Sequence, residues 1–281
     1  MVKEQNWTKI ITAKKSWWEV DLKGVLEYRD LIGVFVKRDI VSIYKQTVLG
    51  PIWFLFWPLF TVFTYTFAFS TIAQIPTDGI PAPVFYLAGT TLWNYFQSCF
   101  NGVSSTFRGN ANIFGKVYFP RLVTPISMMI SNLMKLGIQL VVFALFCIYY
   151  YFQGKVDMSL SLLFFPLIII ILGGIAMGLG LIVSSVTTKY RDASQLIGVF
   201  MMLLMYASPI IYPSSSVPEL LKPYLMYNPI YPLIDFFRFS FTGAGSYSIY
   251  GLLYSFGFAI VVLFFGVLLF SRADKDFMDT V

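Results

Sequence analysis

Histidine is absent from the 281-residue sequence, and charged residues of either sign are scarce. Without an imidazole, His-based acid–base catalysis, a Ser–His–Asp triad and nearly all zinc chemistry are excluded. Asp, Glu, Lys and Arg make up 12% of the chain, against about a quarter of an average soluble domain. The two cysteines, Cys99 and Cys147, lie far apart inside apolar runs, so they predict packing residues instead of a disulfide or a metal site.

The sequence also lacks a phosphate-binding loop. The nearest candidate begins at Gly109 and reaches Gly115-Lys116, one residue too long for the G-x4-G-K spacing. Val117 stands where such a loop requires Ser or Thr, and no strand pattern precedes it. We therefore predict no catalytic residue, no metal and no cofactor on this chain. If ATP drives the protein, another chain must bind the nucleotide.

Long apolar runs are what the sequence does contain, since 57% of its residues are hydrophobic. A spanning helix needs about 20 mostly apolar residues, and continuous runs exclude the alternating pattern of spanning strands. All fourteen carboxylates lie outside these runs, and Lys135 is the one basic residue inside them. Gly174, Gly178 and Gly180 in the fourth run predict close helix packing. The fold class predicted is an all-α integral membrane protein with six transmembrane helices, at 52–73, 84–105, 125–151, 161–184, 195–212 and 249–270.

The basic residues predict an orientation in the membrane. Sixteen Lys and Arg residues fall before the first run, in alternate loops and in the tail, and three fall in the opposite loops. Positive residues concentrate on the cytoplasmic side, so both termini of this multi-pass plasma-membrane protein are expected there. The net charge of +6 therefore predicts orientation instead of nucleic-acid binding.

Two further segments have unusual patterns. Residues 24–46 place apolar side chains at helical spacing opposite a basic polar face, which predicts an amphipathic helix on the inner membrane surface. The alternative is a surface helix packed on protein. The stretch 208–232 holds six prolines yet stays apolar, which predicts short re-entrant helices packed against protein. The alternative there is a plain external loop.

Four groups of residues occur in order along this topology. They are Lys37-Arg38-Asp39-Ile40 with YKQTVLGPIW at 44–53 and Pro58; Asn110, Asn112, KVYFPR at 116–121 and Pro125; Tyr190-Arg191-Asp192; and SPIIYP at 208–213 with Asn228-Pro229 and Arg238. From about residue 25 to the end, the chain resembles the membrane subunit of an ABC-2 type exporter, in the branch that exports O-antigen and teichoic-acid polysaccharides.

The resemblance implies a transport subunit that is not an enzyme. Such permeases act as homodimers with two copies of a separate ABC ATPase, which carries ATP and Mg, and they move a lipid-linked polysaccharide to the outer face of the membrane. The chain would then divide into a cytoplasmic segment at 1–50, containing an amphipathic interface helix, and an ABC-2 transmembrane domain at 51–281. The stretch 213–242 would correspond to external gate helices between spans five and six.

The resemblance also implies roles for particular residues. The ATPase-coupling set is Lys116, Arg121, Lys189, Tyr190, Arg191 and Asp192. The interface-helix set is Lys37, Arg38, Asp39 and Lys45, and the external-gate set is Pro209, Tyr212, Pro213, Asn228 and Pro229. For the coupling residues, the alternative is a solvated turn of charges that anchor the chain at the inner surface.

Aromatic side chains recur along the first predicted span. Ring faces can stack on the apolar faces of sugars and tolerate movement along a chain, so this face predicts a channel lining; lipid-facing rings are the alternative. Lys135 would either face an anionic substrate or extend toward the inner surface. The channel-lining set is Trp53, Phe56, Trp57, Phe60, Phe63, Phe67 and Lys135.

Three other functions are compatible with a multi-pass protein. An ABC-2 exporter of a small drug-like lipid would share the fold. A membrane-embedded transferase would need a histidine or paired carboxylates at the membrane surface, and neither is evident. A secondary transporter would typically show internal repeats or an ionisable network within the spans, where only Lys135 is present.

Overall fold

The structure is a computed structural model, and it describes residues 22–45, 52–157, 159–188, 193–245 and 247–278. All regular secondary structure in these ranges is helical. The α-helices are α1 (Leu22–Glu27), α2 (Arg29–Lys45), α3 (Ile52–Tyr65), α4 (Ala82–Ser104), α5 (Thr106–Phe114), α6 (Val123–Phe152), α7 (Phe165–Thr187), α8 (Ala193–Tyr206), α9 (Lys222–Met226), α10 (Tyr231–Thr242) and α11 (Ile249–Met278). A π-helix, Thr66–Ile72, extends α3, and a 3₁₀ turn, Leu160–Phe164, precedes α7.

Four helical segments of the described chain are long and apolar enough to cross a membrane. They are Leu55–Ile72, Val123–Phe152, Leu160–Thr187 and Ile249–Asp274. These segments confirm the first, third, fourth and sixth predicted spans as apolar helices of spanning length. The second and fifth predicted spans do not form helices that are both long enough and apolar enough to meet this criterion. The count of six spans therefore stays a prediction.

Helices α4 and α8, which correspond to the second and fifth predicted spans, fall short of the criterion for separate reasons. Fifteen of the 23 residues of α4 are buried, so this central helix contacts protein on most sides and carries more polar residues than a lipid-facing span. The apolar helix α8 is 14 residues long and ends at Tyr206, instead of residue 212 as predicted. Pro209 restricts the backbone of Ser208, and the chain turns there.

Helix α4 lies at the centre of the fold, in contact with α3, α6, α7 and α10. Its Phe85, Trp93 and Phe96 are almost completely buried in the main apolar cluster, together with Phe143 of α6 and Leu172 of α7. Because α4 is central, most of its polar side chains face either another helix or a cavity between helices.

Glycines allow α7 to approach its neighbours closely. A Cβ added at Gly178 would lie 2.6 Å from the Leu263 backbone nitrogen on α11, and one at Gly180 would lie 2.8 Å from the Val103 Cβ on α4. The partner glycine on α11 is Gly266, where an added Cβ would lie 2.5 Å from the Gly178 oxygen. These contacts confirm the close packing predicted from the glycines of the fourth span.

The amphipathic segment forms α1 and α2, which meet at Tyr28. Val25 and Phe35 are buried in a second apolar cluster, and the Phe35 ring makes an edge contact with Phe119 at 5.7 Å between centroids. Helix α2 packs on α6, and the opposite side carries exposed charges such as Arg29. Its apolar face therefore packs on protein, as the alternative interpretation expected, while a position at the membrane surface stays a prediction.

The proline-rich stretch folds into short helices. The 3₁₀ turn Ser214–Ser216, α9 and α10 follow one another, and nine of the twelve residues of α10 are buried. Helix α10 contacts α4, α7, α9 and α11. Short helices are therefore present in this stretch, but the 3₁₀ turn has no buried residue and α9 buries only Leu225, so the packed helix is α10, which begins at the end of the stretch. Re-entrant packing and action as an external gate stay predictions.

Candidate functional site

A row of exposed aromatic rings runs along α3 and its π-helical extension. Between 49% and 71% of each residue is exposed for Phe56, Trp57, Phe60, Phe63 and Phe67. The rings stack at helical i,i+4 spacing: Phe56 and Phe60 are 6.0 Å apart between centroids, and Phe63 and Phe67 are 6.5 Å apart. The side chain of Trp53 lies outside the described part of the chain. This surface of one copy is available to lipid, to substrate or to a second copy.

A cavity of about 360 Å³ opens between α3, α4 and α6. Six of its ten lining residues are Asn, Gln, Ser or Lys, although most of the lining surface is apolar. The lining residues are Trp57, Pro58, Asn94, Tyr95, Gln97, Ser98, Asn132, Lys135, Leu136 and Gln139.

Lys135 is the one charged residue of this lining. The Lys135 ammonium donates a 2.9 Å hydrogen bond to the Asn132 side-chain oxygen, one turn nearer the start of α6. At 1.5 Å per residue, Lys135 lies about 18 Å along the helix from Val123. A charge at the centre of a spanning helix costs about 2.5–3.5 kcal/mol unless it finds a partner or reaches the interface. The cavity is where such a partner would lie.

Helical spacing explains why the polar residues converge. On α4, Gln97 and Ser98 follow Asn94 by three and four residues. On α6, Asn132, Lys135 and Gln139 follow one another in steps of three and four, so each set shares one helix face. The two faces meet because α4 packs on α6. Of the residues that line this cavity, the sequence interpretation identified Trp57 and Lys135. The pattern that it missed was the row of uncharged polar residues at helical spacing inside the apolar runs.

The loop between α5 and α6 is the exposed part of the predicted ATPase-coupling set. Lys116 is exposed, and Val117 and Tyr118 each expose 59% of their surface. The preceding helix α5 is fixed beneath this loop, since its Phe107 and Phe114 are buried. The loop is therefore accessible to a partner chain, and it directly follows a helix that is packed against the rest of the protein.

Arg121 has a different environment from Lys116. Its side chain is 7% exposed, and its guanidinium lies 2.7 Å from the Asp274 carboxylate and donates to the Asp274 carbonyl at 3.0 Å. The guanidinium carbon also lies 5.2 Å from the Phe114 ring centroid. Burial lowers the pKa of Arg121, and the Asp274 carboxylate opposes this effect. Arg121 thus anchors the loop to α11. Lys189, Tyr190, Arg191 and Asp192 lie outside the described residues.

The predicted interface-helix residues fall on two sides of α2. Lys37 and Lys45 are exposed, whereas Asp39 is half-buried and faces α6. The Arg38 guanidinium lies 2.8 Å from the Asp39 carboxylate, and the Ser131 hydroxyl of α6 lies 3.5 Å from the other Asp39 oxygen. Arg38 and Asp39 therefore form a pair beside the span that carries Lys135.

The predicted gate residues tie three helices together. The Asn228 amide donates to the Ser208 hydroxyl at 2.8 Å, and its oxygen accepts from the Ile230 backbone at 3.0 Å. The Pro229 carbonyl accepts a 2.7 Å hydrogen bond from Ser255 of α11. Pro209 and Pro213 are buried, and the Tyr212 hydroxyl donates to the Tyr206 carbonyl at 2.9 Å, at the end of α8.

Arg238 is a site residue whose burial the sequence did not predict. It is 3% exposed, donates to the Ile210 carbonyl at 2.8 Å, and has its guanidinium carbon 3.6 Å from the Phe85 ring centroid. Its carboxylate neighbour, Asp235, lies 4.0 Å away and accepts from Ser214 at 2.7 Å. Burial raises the pKa of Asp235, and Arg238 opposes the rise.

The apolar spanning helices around a buried central helix define a multi-pass membrane protein. Residues 30–242 match the ABC-2 type transporter family, and the chain belongs to this family. The chain is 28% identical to the O-antigen export system permease protein RfbA of Klebsiella pneumoniae over 252 residues, which cover 89% of this chain and 94% of that protein.

Other relatives are similar over most of their length. The O-antigen export system permease protein RfbA of Myxococcus xanthus is 23% identical over 70% of this chain and 74% of its own. The polysialic acid transport protein KpsM of Escherichia coli is 24% identical over 85% of this chain and 91% of its own. The resemblance inferred from the four sequence motifs is therefore confirmed. Membership of this family argues against the secondary-transporter and membrane-enzyme alternatives.

Proposed function

We propose that this chain is the permease subunit of an ABC exporter that moves a lipid-linked, O-antigen-like polysaccharide across the bacterial inner membrane. The observation that carries the proposal is the similarity over most of the chain to permease proteins of O-antigen export and a transport protein for polysialic acid. In the proposed assembly, two copies of this chain act with two copies of a separate ATPase, which binds ATP and Mg.

The proposed topology has six spans and cytoplasmic termini. Helix α4 has 23 residues, about 34 Å at 1.5 Å per residue, which is enough to cross the hydrocarbon core. Because most of its surface contacts protein, it does not need the apolar surface of a lipid-facing span. Helix α8 is shorter, and the turn after Tyr206 would complete its crossing close to the outer interface.

The exposed row of rings on α3 supports a channel between two copies. Phe63 is 71% exposed and Phe60 is 51% exposed, on a surface that helices of the same copy do not cover. Helix α8 also exposes apolar residues, including Leu196 and Leu203. In the proposed dimer these two helices face the partner copy across the path of the saccharide, and the rings contact the apolar faces of successive sugars.

Coupling to the ATPase is proposed to use the exposed loop that contains Lys116, with the segment Lys189–Asp192. Closure of the ATPase dimer on ATP would push on the loop. Arg121 transmits this movement, since its guanidinium joins the loop to Asp274 at the end of α11. The amphipathic helix α2 would lie at the inner surface with Lys37 and Lys45 toward the cytoplasm.

The outer side is proposed to work as a gate. Asn228 connects the end of α8 to the start of α10, so a displacement of α8 would be carried to the short outer helices. The Pro229–Ser255 hydrogen bond extends this connection to α11. The gate would open as the two copies of α3 and α8 move apart.

The first experiment is purification of the chain from its native membrane in mild detergent, with mass spectrometry of the proteins that accompany it. We expect an ABC ATPase at equal stoichiometry, and ATP-dependent transport of lipid-linked polysaccharide after reconstitution into liposomes. A homogeneous chain without an ATPase that transports without ATP would overturn the coupling proposal. Deletion of the gene for this chain should also remove the polysaccharide from the cell surface. An unchanged amount of surface polysaccharide would exclude the proposed substrate.

A further inference from the structure

We propose that the cavity between α3, α4 and α6 binds the phosphate-bearing headgroup of a lipid, with the Lys135 ammonium as its charged contact. The inference rests on the proposed function, because it assigns the charged part of a lipid-linked saccharide to a site within this chain. The ligand chemistry is a phosphate or pyrophosphate ester on a hydrocarbon anchor.

The charge of Lys135 is only partly compensated inside the protein. Its ammonium is bonded to the neutral amide of Asn132 at 2.9 Å. The carboxylate that attracts it is Asp39, which is already paired with Arg38 at 2.8 Å. A cation in an apolar span gains most from an anion, whereas a neutral sugar would leave its charge uncompensated.

Uncharged hydrogen-bonding groups surround the same space. Asn94, Gln97 and Ser98 line the cavity from α4, and Gln139 lines it from α6. The Gln139 side-chain oxygen is buried and has no hydrogen-bond partner among the described residues. Buried polar groups are normally satisfied, and an amide can present either its oxygen or its NH₂ group. A headgroup with phosphate oxygens and sugar hydroxyls would supply both kinds of partner.

The size and the entrance of the cavity suit a lipid headgroup. Its volume of about 360 Å³ lies within the range of small-molecule sites, about 300–1,000 Å³. Trp57 lines the cavity and is 58% exposed, so the entrance joins the row of rings on α3. A headgroup in the cavity would therefore place its first sugars beside that row and its hydrocarbon anchor in the surrounding lipid.

The test measures binding of geranylgeranyl pyrophosphate to the permease–ATPase complex in nanodiscs of phosphatidylcholine. We expect K135M to weaken binding at least tenfold, which corresponds to about 1.4 kcal/mol, and K135R to retain most of it. The control K155M removes a lysine outside the cavity and should bind like the wild type. Equal binding by the wild type and K135M would overturn the proposal.

Two further arms separate the possible explanations. Geranylgeraniol, which lacks the pyrophosphate, should bind equally weakly to the wild type and K135M. Competition by phosphatidylglycerol would identify bulk anionic lipid as the source of the phosphate group, and its failure to compete would identify the lipid-linked substrate. If K135M does not assemble with the ATPase, Q97L tests the opposite wall of the cavity, and unchanged binding by Q97L would then overturn the proposal.

The outcome is distinguishable from a failure of the proposed function. Export of polysaccharide by the wild type, with unchanged binding and export by K135M, would reject the site and keep the function. Lys135-dependent binding by a wild-type complex that exports no polysaccharide would keep the site and reject the function.

Discussion

The Arg121 guanidinium lies 2.7 Å from the Asp274 carboxylate, 153 residues away in the chain, and joins the exposed loop before α6 to the end of α11. The arginine is almost fully buried, while the aspartate is 39% exposed. The pair gives the loop a fixed base, which distinguishes it from a mobile surface turn.

Replacement of Arg121 by Met should destabilise the protein. Loss of a fully buried ion-pair partner costs about 3–5 kcal/mol, but the exposure of Asp274 reduces the expected cost to about 1–2 kcal/mol. The expected fall in the unfolding midpoint is a few degrees, at about 2–4 °C per kcal/mol. Thermal unfolding in detergent would measure it, with K116M as the control because Lys116 is exposed. Equal midpoints for the two variants would contradict the anchoring role.

Substitution of Lys116 should change coupling without changing stability. Lys116 lies on the exposed loop, and Arg191 belongs to the other predicted coupling segment. We expect K116A with R191A to reduce ATP-dependent export severalfold while the unfolding midpoint stays at the wild-type value. Export in reconstituted liposomes measures the effect, and K155A serves as a control that removes a lysine outside the predicted coupling set. Intact ATP-dependent export by the double variant would remove both residues from the coupling mechanism.

A methyl group at Gly89 should disturb the buried contact of Arg238. An added Cβ would lie 2.8 Å from an Arg238 terminal nitrogen and 2.9 Å from the Ile210 carbonyl oxygen, the two atoms that bond to each other. Overpacking of this kind costs about 1–3 kcal/mol. Gly257→Ala in α11 is the control, since nothing lies within 4 Å of its added Cβ. Gly89→Ala should therefore lower the unfolding midpoint, and equal midpoints would show that Arg238 can move away without cost.

Removal of an exposed ring from α3 should affect transport and leave assembly unchanged. Phe63 is 71% exposed, so Phe63→Ala removes little packing from the single chain. We expect slower export of polysaccharide with normal recovery of the ATPase complex. The control is Phe264→Ala, which removes an exposed ring from α11. Equal export rates for these two variants would assign the α3 rings to lipid contact alone.

The helical architecture was largely predictable from residue pattern. Apolar runs, prolines and glycines act within one segment, so the predicted spans at 52–73, 125–151 and 249–270 lie close to the helices found. The end of α8 was predicted too late because the apolar residues 207–212 continue the pattern after the helix has stopped. Their turn depends on contacts with Asn228 and Arg238, which are distant in the chain.

The candidate sites were predictable only in part. Exposure of Lys116 and of the α3 rings agrees with their predicted roles as contact surfaces, although those roles stay untested. Arg121 was expected at a partner interface because the resemblance places ATPase contacts in its loop. The burial of Arg121 depends on α11, and no local pattern in residues 116–121 indicates that Asp274 of α11 contacts this arginine.

By itself the sequence determined the all-helical membrane class, the ABC-2 family and the absence of imidazole chemistry, because these follow from composition, apolar runs and ordered motifs. The tertiary structure decided which polar side chains are covered. It placed Lys135 in a shared cavity with residues of α4, paired Arg121 with Asp274, and packed the apolar face of α2 on α6. Helical periodicity specifies which side of a helix is polar or apolar, but only the packing of distant segments specifies what lies against that side.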